Sequence, residues 1–192
     1  MSHRTTIATA TLLGVICLLT YLLTRSMSYD DFDSYNFGLA VTQFDLSLQQ
    51  PQPPGFPLYI LVAQGINAVI QNPLISLTTL SALTGALAVV ALFFIGTKIF
   101  YSPLTAFFVA LIFGMMPIQW LTSVKALSDS AGVMTSLVAI LLLWVGLMDT
   151  PTNHVENGDA KKSPLHKVGR GFRGGDKRLF IIGAFALGLS LG

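Results

Sequence analysis

Stretches free of charge and dominated by apolar side chains cover about 6–24, 74–97, 104–120 and 130–148 of the 192 residues. Each comes near the ~20 residues that carry a helix across a hydrocarbon core of ~30 Å at 1.5 Å per residue, so each is expected to span a bilayer. A fifth stretch, from Leu179 to Gly192, is too short to span and reads as the start of a further transmembrane helix, with the chain as the N-terminal part of a longer protein. The segment 58–71, "LYILVAQGINAVIQ", is apolar but short, and Gln64, Asn67 and Gln71 interrupt it. Its length predicts an interfacial or re-entrant helix. The pattern as a whole predicts an all-α fold, a polytopic transmembrane helix bundle with about four complete spans plus the start of a fifth.

Composition agrees with the pattern. Hydrophobic residues make up 53% and charged residues 10%, and the mean hydropathy is +0.68, outside the range of soluble globular domains. The first apolar run exceeds the ordinary core of a signal peptide, and "LLTRSMSYDD" offers no small-x-small cleavage site, so a retained helix is expected. Cys17 lies inside that helix and reads as a small packing residue. His3, His154 and His166 lack ligand spacing.

Charge sets the expected topology. Residues 149–178 carry Lys161, Lys162, Lys167, Arg170, Arg173, Lys177 and Arg178 against four acids, which by the positive-inside rule makes this a cytoplasmic loop. With Arg4 also cytoplasmic, an even number of spans separates residue 4 from residue 149, and 58–71 does not cross. The loop 25–73 and the segment 118–129 are then extracytoplasmic. The "GRGFRGGDKR" stretch reads as a basic tether near anionic lipid, with no nucleic acid expected as a partner.

Against that frame of near-neutral helices, "YDDFDS" stands out, because three carboxylates within four residues repel one another unless a cation, a proton or a polar partner offsets them. Such a group at a bilayer boundary can act as a general base or coordinate a metal ion. If 32–44 is helical, Phe32, Tyr35, Leu39 and Phe44 form an apolar stripe against the membrane, with Asp33 and Asn36 on a neighbouring polar face. Asp45 reads as a helix cap. In "QPQPPGFPLY", Pro51, Pro53 and Pro54 predict a stiff extended connector that holds Gln52, Gly55 supplies a turn, and Pro57 opens the following helix.

The stretch "DDFDSYNFGLAVTQFDLSLQQPQPPGFPLY", followed by a short apolar helix, resembles the first extracytoplasmic loop of GT-C class membrane glycosyltransferases. The nearest pattern is that of the protein O-mannosyltransferases of glycosyltransferase family 39 and their bacterial homologues, with an acidic pair and then a His-Pro-Pro-Gly-Tyr-Pro-Leu-Tyr motif. "MMPIQWLTSVKALSDSAGVM" resembles their second extracytoplasmic segment. The resemblance spans about residues 6–148. It implies transfer of a sugar from a polyprenyl-phosphate donor to an acceptor outside the cytoplasm, with a loop aspartate as general base. Asp33 matches that base, with Asp31 as the alternative, and Asp30, Gln52, Pro53 and Pro54 are expected to bind substrate. Gln52 stands where the family has His, Ser34 where it often has a second acid, and no Arg opens the 74–97 helix. Gln52 can hydrogen-bond a sugar or phosphate but cannot shuttle a proton.

Lys125 is the remaining candidate for the donor phosphate, and Asp129, four residues on, is expected to orient it as an i, i+4 pair. Trp120 and Trp144 read as interface or packing residues, and the pairs Ser81/Gly85 and Ala82/Ala86 as close helix contacts. The expectation is a multi-pass plasma (inner) membrane glycosyltransferase with the bilayer, the polyprenyl-phosphate sugar donor and an acceptor as partners. No cofactor is required by the resemblance, although the acidic loop has donors for a divalent ion. The rival readings are a transporter and a non-catalytic scaffold in polysaccharide assembly.

Overall fold

The computed structural model describes residues 3–148, and the readings made for 149–178 and 179–192 fall outside them. The described residues form helices and turns: α1 His3–Leu23, α2 Phe32–Thr42, a 3-10 turn at Leu46–Leu48, α3 Pro57–Ile70, α4 Pro73–Phe100, α5 Pro103–Met115, α6 Pro117–Val124 and α7 Asp129–Met148. The architecture is an all-α membrane bundle, in which three helices are long and apolar enough to cross a bilayer, or four if the bent α5–α6 pair counts as one.

Local chemistry explains the helix starts. α3, α4, α5 and α6 each begin at a proline, where the missing N–H costs nothing. Asn72 and Ser102 cap α4 and α5 by accepting from the amides of Ile75 and Thr105. The run 104–120, expected as one span, is instead broken at Met116 with a bend of 61°. Pro117 is the cause, because its ring disfavours the helical region for Met116, which sits at φ −61°, ψ 137°.

α4 is the axis of the bundle. Along it, Leu13, Cys17 and Tyr21 of α1 and Ala106 and Ala110 of α5 pack with Val89 and Phe93 in one core. Nearer its N-terminus, Leu77 and Leu80 pack with Phe37 and Ala40 of α2 and Ile60 and Ala63 of α3 in a second. The Tyr21 hydroxyl donates to the carbonyl of Gly114 at 2.7 Å, in the last turn of α5, where a helix end leaves acceptors open. Side chains such as Leu12, Leu19, Leu104, Phe108 and Ile112 point outward, as a hydrocarbon solvent allows.

Small residues let α6 close onto α4. A Cβ at Gly85 would overlap the Ser123 side chain, whereas one at Gly65, on α3, would meet open space. Gly85→Ala is therefore expected to destabilise the detergent-solubilised protein by about 1–3 kcal/mol. Gly65→Ala should be neutral or stabilising by up to about 1 kcal/mol. Thermal unfolding of the two variants side by side checks the pair, and equal shifts would mean that α4 and α6 are not in contact there.

Candidate acidic site at the bundle end

The elements bring the chemistry to one end of the bundle. Where α1 ends, the Ser26 amide donates to the carbonyl of Val124 at 2.9 Å, so the loop 24–31 lies along the end of α6. The same end holds the N-termini of α2 and α7. Asp30, Asp31, Asp33 and Asp129 belong to this end, Asp45 follows the C-terminus of α2, and Arg4 and Lys98 belong to the termini of α1 and α4 at the other end.

Each carboxylate is held differently. Asp30 accepts from the hydroxyls of Ser28 at 2.8 Å and Ser26 at 2.9 Å. Asp31 caps α2, its Oδ1 accepting from the Ser34 amide at 2.7 Å. The Nζ of Lys125, at the C-terminal cap of α6, stands 3.8 Å from Asp30 Oδ2 and 3.8 Å from Asp31 Oδ2, bridging the two acids. Asp33, in the first turn of α2, is exposed, and no hydrogen-bond or ion-pair partner faces it among the described residues. Asp45 caps the 3-10 turn, accepting from the amide and hydroxyl of Ser47.

The Ser28 hydroxyl first, then that of Ser26, with Lys125 adding to them, holds the Asp30 carboxyl below the usual carboxylate range. A folded-state pKa below the unfolded one contributes stability that is present above the unfolded value and lost as pH falls through the folded one. Ser28→Ala is therefore expected to move the acid limb of the stability profile to higher pH. A pH series of melting temperatures checks this, and an unmoved limb would deny the hydroxyl that role.

Several expectations need correction. Lys125 and Asp129 do not form the i, i+4 pair, because residues 125–128 are not helical and Lys125 is extended at ψ 162°. Lys125 reaches back to the acidic loop instead, and Asp129 is exposed at the start of α7. The proline segment is not a simple extended connector. Asp45 and Gln50 exchange backbone hydrogen bonds at 2.7 and 2.9 Å, and the Gly55 amide closes a second turn on the Gln52 carbonyl at 3.0 Å. Gly55 sits at φ +96°, a region that favours glycine. Pro53 and Pro54 are exposed, and Gln52 is half-buried, its Oε1 enclosed without a donor among the described residues. On α2, Phe32 and Tyr35 do face outward, but Asn36 is buried rather than on an open polar face, and neither its Nδ2 nor the Ser34 Oγ has a hydrogen-bond partner among the described residues. No three His, Cys, Asp or Glu side chains among the described residues converge as a metal would need.

Sequence reasoning missed the hydroxyls. Ser26 and Ser28 orient Asp30, while Tyr59, Ser81, Thr84 and Ser130 link α3, α4 and α7 beneath the acidic end. The signal for the second group was the run of small polar residues at 76, 78, 81 and 84 in an apolar helix, legible as packing positions but not as hydrogen-bond donors. Beside this network an apolar cleft of about 250 Å³ opens between α3, α4 and α7, lined by Tyr59, Val62, Leu80, Thr84, Ser128 and Met134 among others.

Residues 39–192 match the family model described as Protein O-mannosyl-transferase TMEM260 N-terminal domain. No curated protein and no solved structure is significantly similar to the chain. The match covers most of the chain, which therefore belongs to this family and with it to the membrane glycosyltransferases. It includes Gln52, Pro53, Pro54, Lys125 and Asp129, whereas Asp30, Asp31 and Asp33 precede it.

Proposed function

We propose that the protein is a GT-C type transferase, akin to the family 39 enzymes and their bacterial homologues. It moves a sugar from a polyprenyl-phosphate donor to an acceptor hydroxyl at the bundle end that carries the aspartates. The observation that carries this reading is the junction of Asp30, Asp31 and Lys125, a neighbouring carboxylate pair and a cation distant from it in sequence, gathered where the membrane helices end. A cation held by two carboxylates on a bilayer boundary can exchange one of them for a phosphate oxygen when a donor arrives. Asp30 and Asp31 then take the orienting role first expected of Asp129.

In the reaction, Asp33 accepts the proton of the acceptor hydroxyl as its oxygen bonds to the anomeric carbon. The bond from that carbon to the phosphate oxygen breaks, and the phosphate leaves with the electron pair, so the anomeric configuration inverts. Asp33 suits the base because its oxygens are not taken up by other donors, unlike those of Asp30 and Asp31. Lys125 faces the departing phosphate and steadies its growing charge. The apolar cleft begins at Ser128, three residues from Lys125, and suits the first isoprene units of the carrier. Gln52 Oε1, lacking a protein donor, can accept from a sugar hydroxyl. The seven Lys and Arg side chains of 149–178, expected on the cytoplasmic side, favour an extracytoplasmic site in a plasma or inner membrane.

The test is transfer of labelled sugar in membranes with and without the full-length protein, beginning with polyprenyl-phosphate mannose and a protein acceptor because the family description names that chemistry. Protein-dependent labelling supports the reading. Its absence, across several lipid-linked sugars with the protein present at normal level, would favour a transporter or a scaffold.

A further inference from the structure

Tyr59 belongs to α3, yet its hydroxyl acts on the turn between α6 and α7. It donates to the carbonyl of Leu127 at 3.0 Å and lies 3.4 Å from the Ser81 hydroxyl, which donates to the same carbonyl at 2.9 Å. The ring is buried and packs edge-on to Phe37 at 5.4 Å, so the hydroxyl has one place to go. Leu127 sits in the non-helical turn 125–128, whose own backbone bonds run outward, from the Lys125 amide to Leu121 and from the Gly132 amide to Ser128. Two side chains from other helices thus hold the middle of the turn.

That turn begins with Lys125, whose backbone fixes the base of a flexible four-carbon stem and so which acceptors the ammonium can reach. Its Nζ bridges Asp30 and Asp31, and Asp31 is the cap that starts α2. A continuous chain of contacts therefore runs from Tyr59 through the Leu127 carbonyl and Lys125 to the acidic loop. We propose that Tyr59 is a positioning residue, which through the Leu127 carbonyl sets where Lys125 stands and so holds the acidic loop and the start of α2 in register with the donor phosphate. The role in catalysis rests on the reading of Lys125 as the phosphate contact. The mechanical coupling does not.

Tyr59→Phe in the full-length protein keeps the ring packing and removes the bond, and two readouts follow. With polyprenyl-phosphate mannose as probe, kcat/KM for donor should fall about five- to ten-fold, since one hydrogen bond that positions the phosphate contact is lost. In a Lys125→Ala background the same substitution should add nothing, because its effect passes through Lys125. Separately, hydrogen exchange of residues 24–35 should speed up in Tyr59→Phe, and to no further extent when Lys125→Ala is added. Exchange changes confined to 125–132, or effects that add in the double variant, would overturn the proposal. Absence of transfer in the wild type together with coupled exchange would sink the transferase reading and support the coupling. If Tyr59→Phe does not fold, Ser81→Ala removes the second donor to the same carbonyl and is expected to give the same pattern.

Discussion

Asp33→Asn in the full-length protein is expected to lower kcat for sugar transfer by about 10²–10⁴-fold, the range a positioned general base contributes, with the level of folded protein unchanged. Asparagine has the shape of aspartate and can accept a hydrogen bond, but it takes up no proton at neutral pH. The residue is exposed in the first turn of α2 and no described residue relies on its side chain, so the loss would not come from unfolding. Asp31→Asn is the contrasting variant. Asparagine caps helices as well as aspartate does, so α2 keeps its start while one of the two Lys125 contacts goes. Its effect should be smaller and fall mainly on KM. Kinetics with purified donor separate the two, and full activity in Asp33→Asn beside a dead Asp31→Asn would move the base to Asp31.

Lys125→Ala should cost about 10–100-fold in kcat/KM for the lipid-linked donor, because a charge-assisted contact to phosphate is worth about 1.5–3 kcal/mol. A second consequence acts on the free protein. Removing the ammonium leaves Asp30 and Asp31 side by side without their shared cation, so the loop 24–31 loses its polar tie to α6 apart from the Ser26–Val124 backbone bond. Lys125→Arg restores charge but replaces a point ammonium with a planar fork, and partial recovery is expected. The bridge is partly solvent-exposed, so its share of global stability is small and the melting temperature should shift little. A large fall in melting temperature with activity tracking folded protein would make Lys125 a structural residue and leave the phosphate contact unassigned.

How far the site was legible in the sequence follows from the range of the interactions that build it. Asp45 as a cap, Pro57 at a helix start and the short α3 are set by contacts within a few residues, and such contacts leave a local pattern. The break at Met116 was equally local, written in Pro117, but an uninterrupted apolar run masked it, since hydropathy reports what a segment dissolves in and not whether its backbone stays straight. Lys125 drew notice as a cation near the acidic side, yet its partner could not be read. Spacing alone favoured Asp129, four residues away, and that pairing assumes a helix which the turn at 125–128 does not make.

Tyr59 was less visible still. In the sequence it is one apolar position of an interfacial helix, and only the approach of α3, α4 and the α6–α7 turn shows that its hydroxyl and that of Ser81 share one carbonyl. By itself, then, the sequence determined the solvent and the helical class, because hydrophobic run length and residue composition act segment by segment. The tertiary structure alone decided which carboxylates share Lys125, which stay open, and what holds the turn between them. Those choices depend on packing between helices distant in sequence, where differences of a few ångströms select one partner over another.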